Sequence, residues 1–368
     1  MSGADRDLPH DRLLLQPYRL SRAKHTTTHG DSMKRLFQNL ALVLASLVFC
    51  AAFGEIAVRI MYGRIANYNM EMWHYASKVK QRTSNPKLPF LHAPNRHGFF
   101  YGADIHTDSV GFRDRDYPVA RVPGTKRIMM LGDSFTLGWG VPFDSMFSKQ
   151  LEKLLTESGQ PTEVINTGVG NTNTVMELEQ FKEVGLRFKP DMVILMYFIN
   201  DAEPTPPVVG ALKTAIVTHS YLIAFLSDQL IKLTPRVNES YDWRAYYSGL
   251  FKPGLPGLEA SRQAIDELAA LCKQNGIKLV IANIPELREL KPYPFPEATA
   301  FVRGAAEKND VPFVDLLPAL VNEDPATLWV TKEDPHANAK ANVIIGRALF
   351  DAVTRIDSPA ARVSVTAR

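Results

Sequence analysis

Residues 127–132 read RIMMLG and run directly into Asp133 and Ser134. A short, uninterrupted apolar run of this kind predicts a strand buried on both faces, and the Gly-Asp-Ser that closes it predicts a tight turn. Residues 145–157 (SMFSKQLEKLLTE) follow with apolar positions at helical spacing, and the unit then recurs. Residues 162–166 (TEVIN) predict a second strand, 175–188 a helix, 191–198 (DMVILMYF) a third strand, 277–284 (IKLVIANI) a fourth, 311–316 (VPFVDL) a fifth, and 338–356 a closing helix. Apolar strands that alternate with amphipathic helices must be covered on both faces. The fold class is therefore α/β, with parallel strands and right-handed crossovers in a three-layer α/β/α domain over residues 121–357.

Two stretches break the alternation. Residues 62–120 are rich in aromatics and turns and form a leader to the domain; residues 202–255 interrupt it after the third strand and begin EPTPPVVG at Glu203. Loop insertions of that length are usually functional or disordered. Within the insertion, 221–233 (YLIAFLSDQLIKL) predicts a helix that packs against the domain, with covering a cleft as the alternative.

Further upstream, residues 40–54 (LALVLASLVFCAAFG) contain no charge. With Leu36, Phe37 and residues 56–61 added, the helix approaches the roughly 20 residues a bilayer requires. A buried core helix is the rival reading, but four turns without a polar face favour one transmembrane or signal-anchor helix over 36–61. Lys34 and Arg35 ahead of the run place the N-terminus in the cytoplasm and the body outside, on the periplasmic or cell-surface side, although Arg59 and Arg64 pull the other way. Residues 1–35 read as a polar tail or, before Met33, as a misassigned start, and 358–368 as a second tail. Cleavage after Gly54 is the alternative to an uncleaved anchor, and Phe49 before Cys50 speaks against a lipoprotein signal.

The 368 residues are 45% hydrophobic and 22% charged, which excludes a disordered or disulfide-stapled chain. The net charge of +3 lies wholly before Leu36, so the body is balanced and composition gives no support for nucleic-acid binding. Cys50 and Cys272 alone make neither a disulfide framework nor a four-ligand zinc site, and both are expected as small core residues.

In an open parallel sheet, ligands bind beyond the carboxyl ends of the strands. The first strand is followed by Gly132, Asp133 and Ser134, the second by Asn166, Thr167 and Gly168, the third by Asn200 and Asp201, and the loop beyond the fifth carries Asp334 and His336. A serine hydroxyl attacks only when a base takes its proton, and the base needs a carboxylate to hold its tautomer. Ser134, His336 and Asp334 supply those three groups. The negative oxygen of a tetrahedral intermediate needs fixed donors, for which the N–H groups of Ser134 and Gly168 and the Asn200 amide are candidates. Singly, these residues read as N-caps, turn formers and a helix start; their joint occurrence at one sheet edge favours chemistry. His336 and Asp334 have no obvious further ligands, so no metal and no cofactor are expected.

The segments LGDSFTLGWG, VINTGVGNTN, FIND and EDPHANAKAN resemble the four blocks of the SGNH hydrolases, also called GDSL esterases and lipases, across about residues 125–357. The resemblance implies a flavodoxin-like domain and acyl-ester hydrolysis or transfer, with Ser134 as nucleophile, Gly168 and Asn200 in the oxyanion hole and His336 as base. Two positions depart from the family pattern. Phe198 stands where the third block has glycine, which narrows the cleft or alters how Asn200 is presented. In the fourth block the family's aspartate lies three residues before the histidine, a position Glu333 holds here; Asp334 is favoured as the acid because its shorter side chain reaches back in an extended Asp-Pro-His segment, with Glu333 second. Residues 105–118 (IHTDSVGFRDRDYP) resemble a leader of membrane-anchored bacterial members, and Asp108, Gly111, Phe112 and Arg113 are expected to pack it against the domain. The expected function is a membrane-anchored serine esterase acting on acyl groups, such as acetyl, of a surface glycan or lipid-like ester. The alternatives are an O-acyltransferase that passes the acyl group to a polysaccharide hydroxyl, and a non-catalytic binding protein of the same fold.

Overall fold

A computed structural model describes residues 29–62, 68–208, 218–233 and 242–358. The chain divides into two units, Met1–Gly54 and Glu55–Arg368. The first holds most of helix α1 (His29–Tyr62), which starts before the apolar run because the polar residues ahead of it continue the same helix. Leu40, Leu44, Leu47, Val48, Phe49 and Phe53 are all exposed on it. Its stretch Ser32–Tyr62, whose most apolar 18-residue window has a mean hydropathy of 2.3, has the length and composition of a membrane span or a signal sequence. Cys50 lies exposed on this helix, contrary to the expectation of a core residue, whereas Cys272 is buried and its thiol is pushed up to about 12 by burial. The tails at 1–28 and 359–368 lie outside the described residues.

The second unit opens with α2 (Tyr68–Val79) and two small antiparallel ladders, β1 (Lys80–Arg82) with β2 (Phe90–His92) and β3 (His97–Phe100) with β4 (Ala103–His106). Then come β5 (Lys126–Gly132), α3 (Ser134–Leu137), α4 (Phe147–Glu157), β6 (Thr162–Asn166), α5 (Thr174–Gln180) and β7 (Met192–Tyr197). The insertion contributes α6 (Tyr221–Leu233) and α7 (Trp243–Leu250), after which α8 (Pro256–Gln274), β8 (Lys278–Asn283), α9 (Pro296–Lys308) and β9 (Phe313–Asp315) complete the alternation. A hairpin, β10 (Trp329–Thr331) with β11 (Asp334–Ala337), and α10 (Ala339–Asp357) end the unit.

Strands pair in the order β6-β5-β7-β8-β9, all parallel, so all five predicted strands belong to one sheet. Every residue of Met192–Tyr197 is buried, as a central strand covered on both faces demands. Helices α4 and α10 pack together on one face, their Phe147, Leu151 and Leu155 against Ala341, Ile345 and Leu349; α5 and α8 pack together on the other. This is the three-layer α/β/α arrangement. The predicted helix at 175–188 is broken: α5 passes into a π turn (Phe181–Gly185) and a 3₁₀ turn (Leu186–Phe188).

The leader is part of this body. Phe112 is buried in the main core, and the Arg113 guanidinium, also buried, donates to the carbonyls of Leu137, Gly138, Val141 and Asp104. It thereby ties β4 to the turn that follows α3. Asp108 closes its own turn by accepting from the N–H groups of Val110 and Phe112. In the insertion, α6 spans the predicted range and buries Ala224 against Val58 and Met70, while Glu55 accepts from the N–H groups of Tyr221 and Leu222 at its first turn. It packs on the leader and the end of α1.

Candidate active site

Ser134 stands at the first residue of α3, directly past β5. Asp133 caps that helix, its Oδ1 accepting from Phe135 N–H at 2.9 Å. Ser134 is buried to 4% exposure, and its Oγ lies 2.8 Å from His336 Nε2. On the far side of the ring, His336 Nδ1 is 2.5 Å from Asp334 Oδ1, which also accepts from the His336 backbone N–H at 3.1 Å. Asp334 and His336 are two apart on β11, and that spacing puts both side chains on one face of the strand. Asp334 is fully buried; Glu333 is exposed. A proton on Nδ1, shared with the carboxylate, leaves Nε2 as the acceptor for the serine hydroxyl.

Asp334 Oδ2 has a partner that the sequence reading did not single out: Trp139 Nε1–H donates to it at 2.8 Å. Burial opposes the charge on Asp334, but the His336 and Trp139 donors outweigh it and hold the carboxyl below the usual range. Trp139 lies inside the LGWG end of the nucleophile segment, so its place in that segment was the available signal. The imidazole itself is flanked by Phe135 at 5.1 Å between ring centroids and by Tyr68 of α2 at 6.1 Å. Nothing in the sequence pattern ties Tyr68 to a residue so far downstream.

The donors expected for an oxyanion differ from one another in availability. Ser134 N–H opens α3, where no helical acceptor exists. The Asn200 amide donates to Asp133 Oδ2 at 3.1 Å and keeps its second hydrogen, while its Oδ1 is buried without a partner among the described residues. Gly168 departs from the expectation, because its N–H donates to Asn166 Oδ1 at 2.9 Å in an Asx turn. A Cβ there would stand 2.2 Å from Leu137 N and 2.5 Å from Thr136 C. Glycine is required at 168 so that this loop can pack on the backbone of α3. Three residues on, Asn171 is exposed, has φ of 61°, and its N–H has no acceptor among the described residues. Asparagine tolerates that left-handed conformation, and Val169 N–H bonds to Gly132 O at 3.2 Å, which keeps the loop beside the end of β5.

Behind Asp133 lie two further buried carboxyls, Asp201 and Glu177. Burial, and then the charges of the neighbouring carboxylates, push both well above the ordinary range. Asp201 Oδ2 accepts from Phe198 N–H at 2.7 Å and so shapes the turn that presents Asn200. Phe198, in place of a glycine, is buried and packs on Phe135 at 4.3 Å with Tyr247 of α7 against its edge at 6.4 Å. Phe135, the residue after the serine, is thus packed among aromatic rings. Among the described residues no group of three or more His, Cys, Asp or Glu is arranged to hold a metal ion.

Residues 130–343 match the model of the GDSL-like lipase/acylhydrolase family. An arylesterase of Vibrio mimicus is 26% identical over 143 residues, 38% of this chain and 68% of that protein. Among solved structures, Axe2, an acetyl-xylooligosaccharide esterase from Geobacillus Stearmophilus, aligns at 16% identity with a TM-score of 0.42, over 62% of this chain and 94% of its own. The psychrotrophic esterase EstA from Pseudoalteromonas sp. aligns at 13% identity with a TM-score of 0.40, over 62% and 97%.

Proposed function

This chain belongs to the GDSL-like lipase/acylhydrolase family and is an ester-bond hydrolase; from that premise we propose that it is a serine esterase that works through an acyl-enzyme formed on Ser134. The observation that carries the proposal is the continuous relay from Ser134 Oγ through the His336 ring to Asp334, at 2.8 and 2.5 Å. His336 Nε2 takes the hydroxyl proton as Oγ attacks the ester carbonyl, and Asp334 stabilises the imidazolium that results. The carbonyl oxygen gains charge at the Ser134 N–H and the Asn200 amide, with the Asn171 N–H replacing Gly168 as the third donor, since Gly168 is already committed to Asn166. The imidazolium then protonates the departing alkoxide, the acyl group stays on Ser134, and His336 deprotonates the water that releases it.

The bulk of Phe198 and Phe135 beside the serine favours a short acyl group such as acetyl over a long one. Helix α1 serves as an uncleaved anchor, with Lys34 and Arg35 on the cytoplasmic side and the hydrolase outside, so the esters within reach are those of a surface glycan or a lipid-like molecule. Purified in detergent, the chain should hydrolyse a short-chain aryl ester, and Ser134→Ala should lower turnover by at least about a thousandfold with its circular dichroism and melting temperature retained. Equal turnover by that variant would remove Ser134 from the mechanism.

A further inference from the structure

The loop that carries Asn171 is gripped from the leader at both polar groups of Gly170. Its N–H donates to Tyr75 Oη at 3.0 Å, and its carbonyl accepts from Lys80 Nζ at 2.5 Å. Tyr75 is fully buried and its hydroxyl in turn meets His92 Nε2 at 2.5 Å, while His92 Nδ1 meets Gly111 O at 3.1 Å. One proton arrangement satisfies the chain: Nδ1–H donates to Gly111 O, and Nε2 accepts from the tyrosine, whose oxygen is then free to accept from Gly170. Burial holds His92 neutral, pushing it down to about 3. Lys80 and His92 face each other across the β1–β2 ladder, and the Lys80 ammonium also lies 4.0 Å from the centre of the Phe90 ring.

Gly170 C=O and Asn171 N–H belong to one peptide unit. In a trans peptide the two point in opposite directions, so a carbonyl fixed on the leader side turns the N–H to the other side, where Asn171 is exposed. A charge-assisted bond to the carbonyl also polarises the unit and makes its N–H a stronger donor. We infer that Lys80, held by Tyr75, His92 and Phe90, is a positioning residue that aims and strengthens the Asn171 N–H toward the oxygen that becomes negative during ester cleavage. The inference rests on the serine-esterase reading above. It gives the leader a part in the reaction beyond packing. Burial lowers the Lys80 ammonium to about 7, and a developing negative oxygen across the peptide favours its charged form.

The test uses the full chain in detergent, with p-nitrophenyl acetate as substrate and kcat expressed per serine titrated by a fluorophosphonate, so that only folded sites are counted. Loss of a whole oxyanion donor costs about a hundred- to a thousandfold; Lys80→Met, which misdirects one donor, should lower kcat by about ten- to a hundredfold with KM within about threefold. Lys80→Arg keeps the charge and should recover most of the loss. Tyr75→Phe, which removes the hydroxyl that takes the Gly170 N–H, should lower kcat in the same way and decides the matter if Lys80→Met yields too few titratable sites. A Lys80→Met or Tyr75→Phe enzyme with kcat within about twofold of the parent, beside an inactive Ser134→Ala, overturns the inference alone. A fully active Ser134→Ala overturns the esterase reading instead.

Discussion

Replacing Trp139 by Phe removes one hydrogen bond from the buried Asp334 while leaving an aromatic ring in the cluster with Tyr75 and Phe100. Asp334 Oδ1 keeps its two bonds from His336, but Oδ2 loses its one donor among the described residues. A hydrogen bond to a charged acceptor contributes about 1.5–3 kcal/mol, and the smaller ring gives up further packing, so the total deficit should be about 3 kcal/mol at pH 7. For a folded unit of this size that corresponds to about 4–5 °C in melting temperature. The pH dependence separates the two parts. The folded pKa of Asp334 is depressed, so its contribution is fully present above the ordinary carboxylate value of about 4 and is lost as pH falls through the folded value. The hydrogen-bond part of the deficit therefore shrinks in acid, and only the packing part persists. Thermal melts of both proteins between pH 7 and about pH 3 measure this directly. Turnover should fall by about tenfold, the equivalent of about 1.4 kcal/mol, because a less firmly held carboxylate orients His336 less well. A deficit of the same size at both ends of the pH range would refute the reasoning and reduce the indole to a packing element.

Phe198→Ala removes aromatic bulk beside the serine, so the ratio of kcat/KM for a hexanoyl over an acetyl aryl ester should rise by at least about tenfold, at a stability cost of about 3–5 kcal/mol for the buried ring; a ratio unchanged from the parent argues that the acyl chain lies elsewhere. Glu177→Gln addresses the buried carboxyl cluster. Because the folded pKa of Glu177 is raised, the stability it allows is fully present below about pH 4 and is lost as pH rises toward the folded value. Denaturant melts should find the variant close to the parent near pH 4 and more stable than the parent near pH 8.

The sheet was legible because a strand buried on both faces must be written as an unbroken apolar run; the predicted second strand, residues 162–166, has the bounds found in the structure. Ser134, Asp334, His336 and Asn200 could be placed together because parallel topology brings every strand's carboxyl end to one edge. The β10–β11 hairpin was read as loop, since Pro335 removes a ladder donor and the strands are too short for a pattern. For Gly168 the sequence announces a close approach but not which backbone comes close, and here it is α3. Trp139 was marked only by its place in the LGWG segment, and Tyr68 and the Tyr75–His92–Lys80 grip were not legible at all. Each acts on a residue of another element, and such contacts leave no periodic mark on the sequence.

The hairpin that carries Asp334 and His336 lies close to the C-terminal helix, whereas the leader residues that grip the Gly170 peptide precede the whole sheet. On the proposed mechanism a nascent chain carries its nucleophile 202 residues before its base, and the relay cannot form until both have been made. Truncation from either terminus would silence it by different routes, one by loss of the proton relay and the other by loosening the donor that faces it.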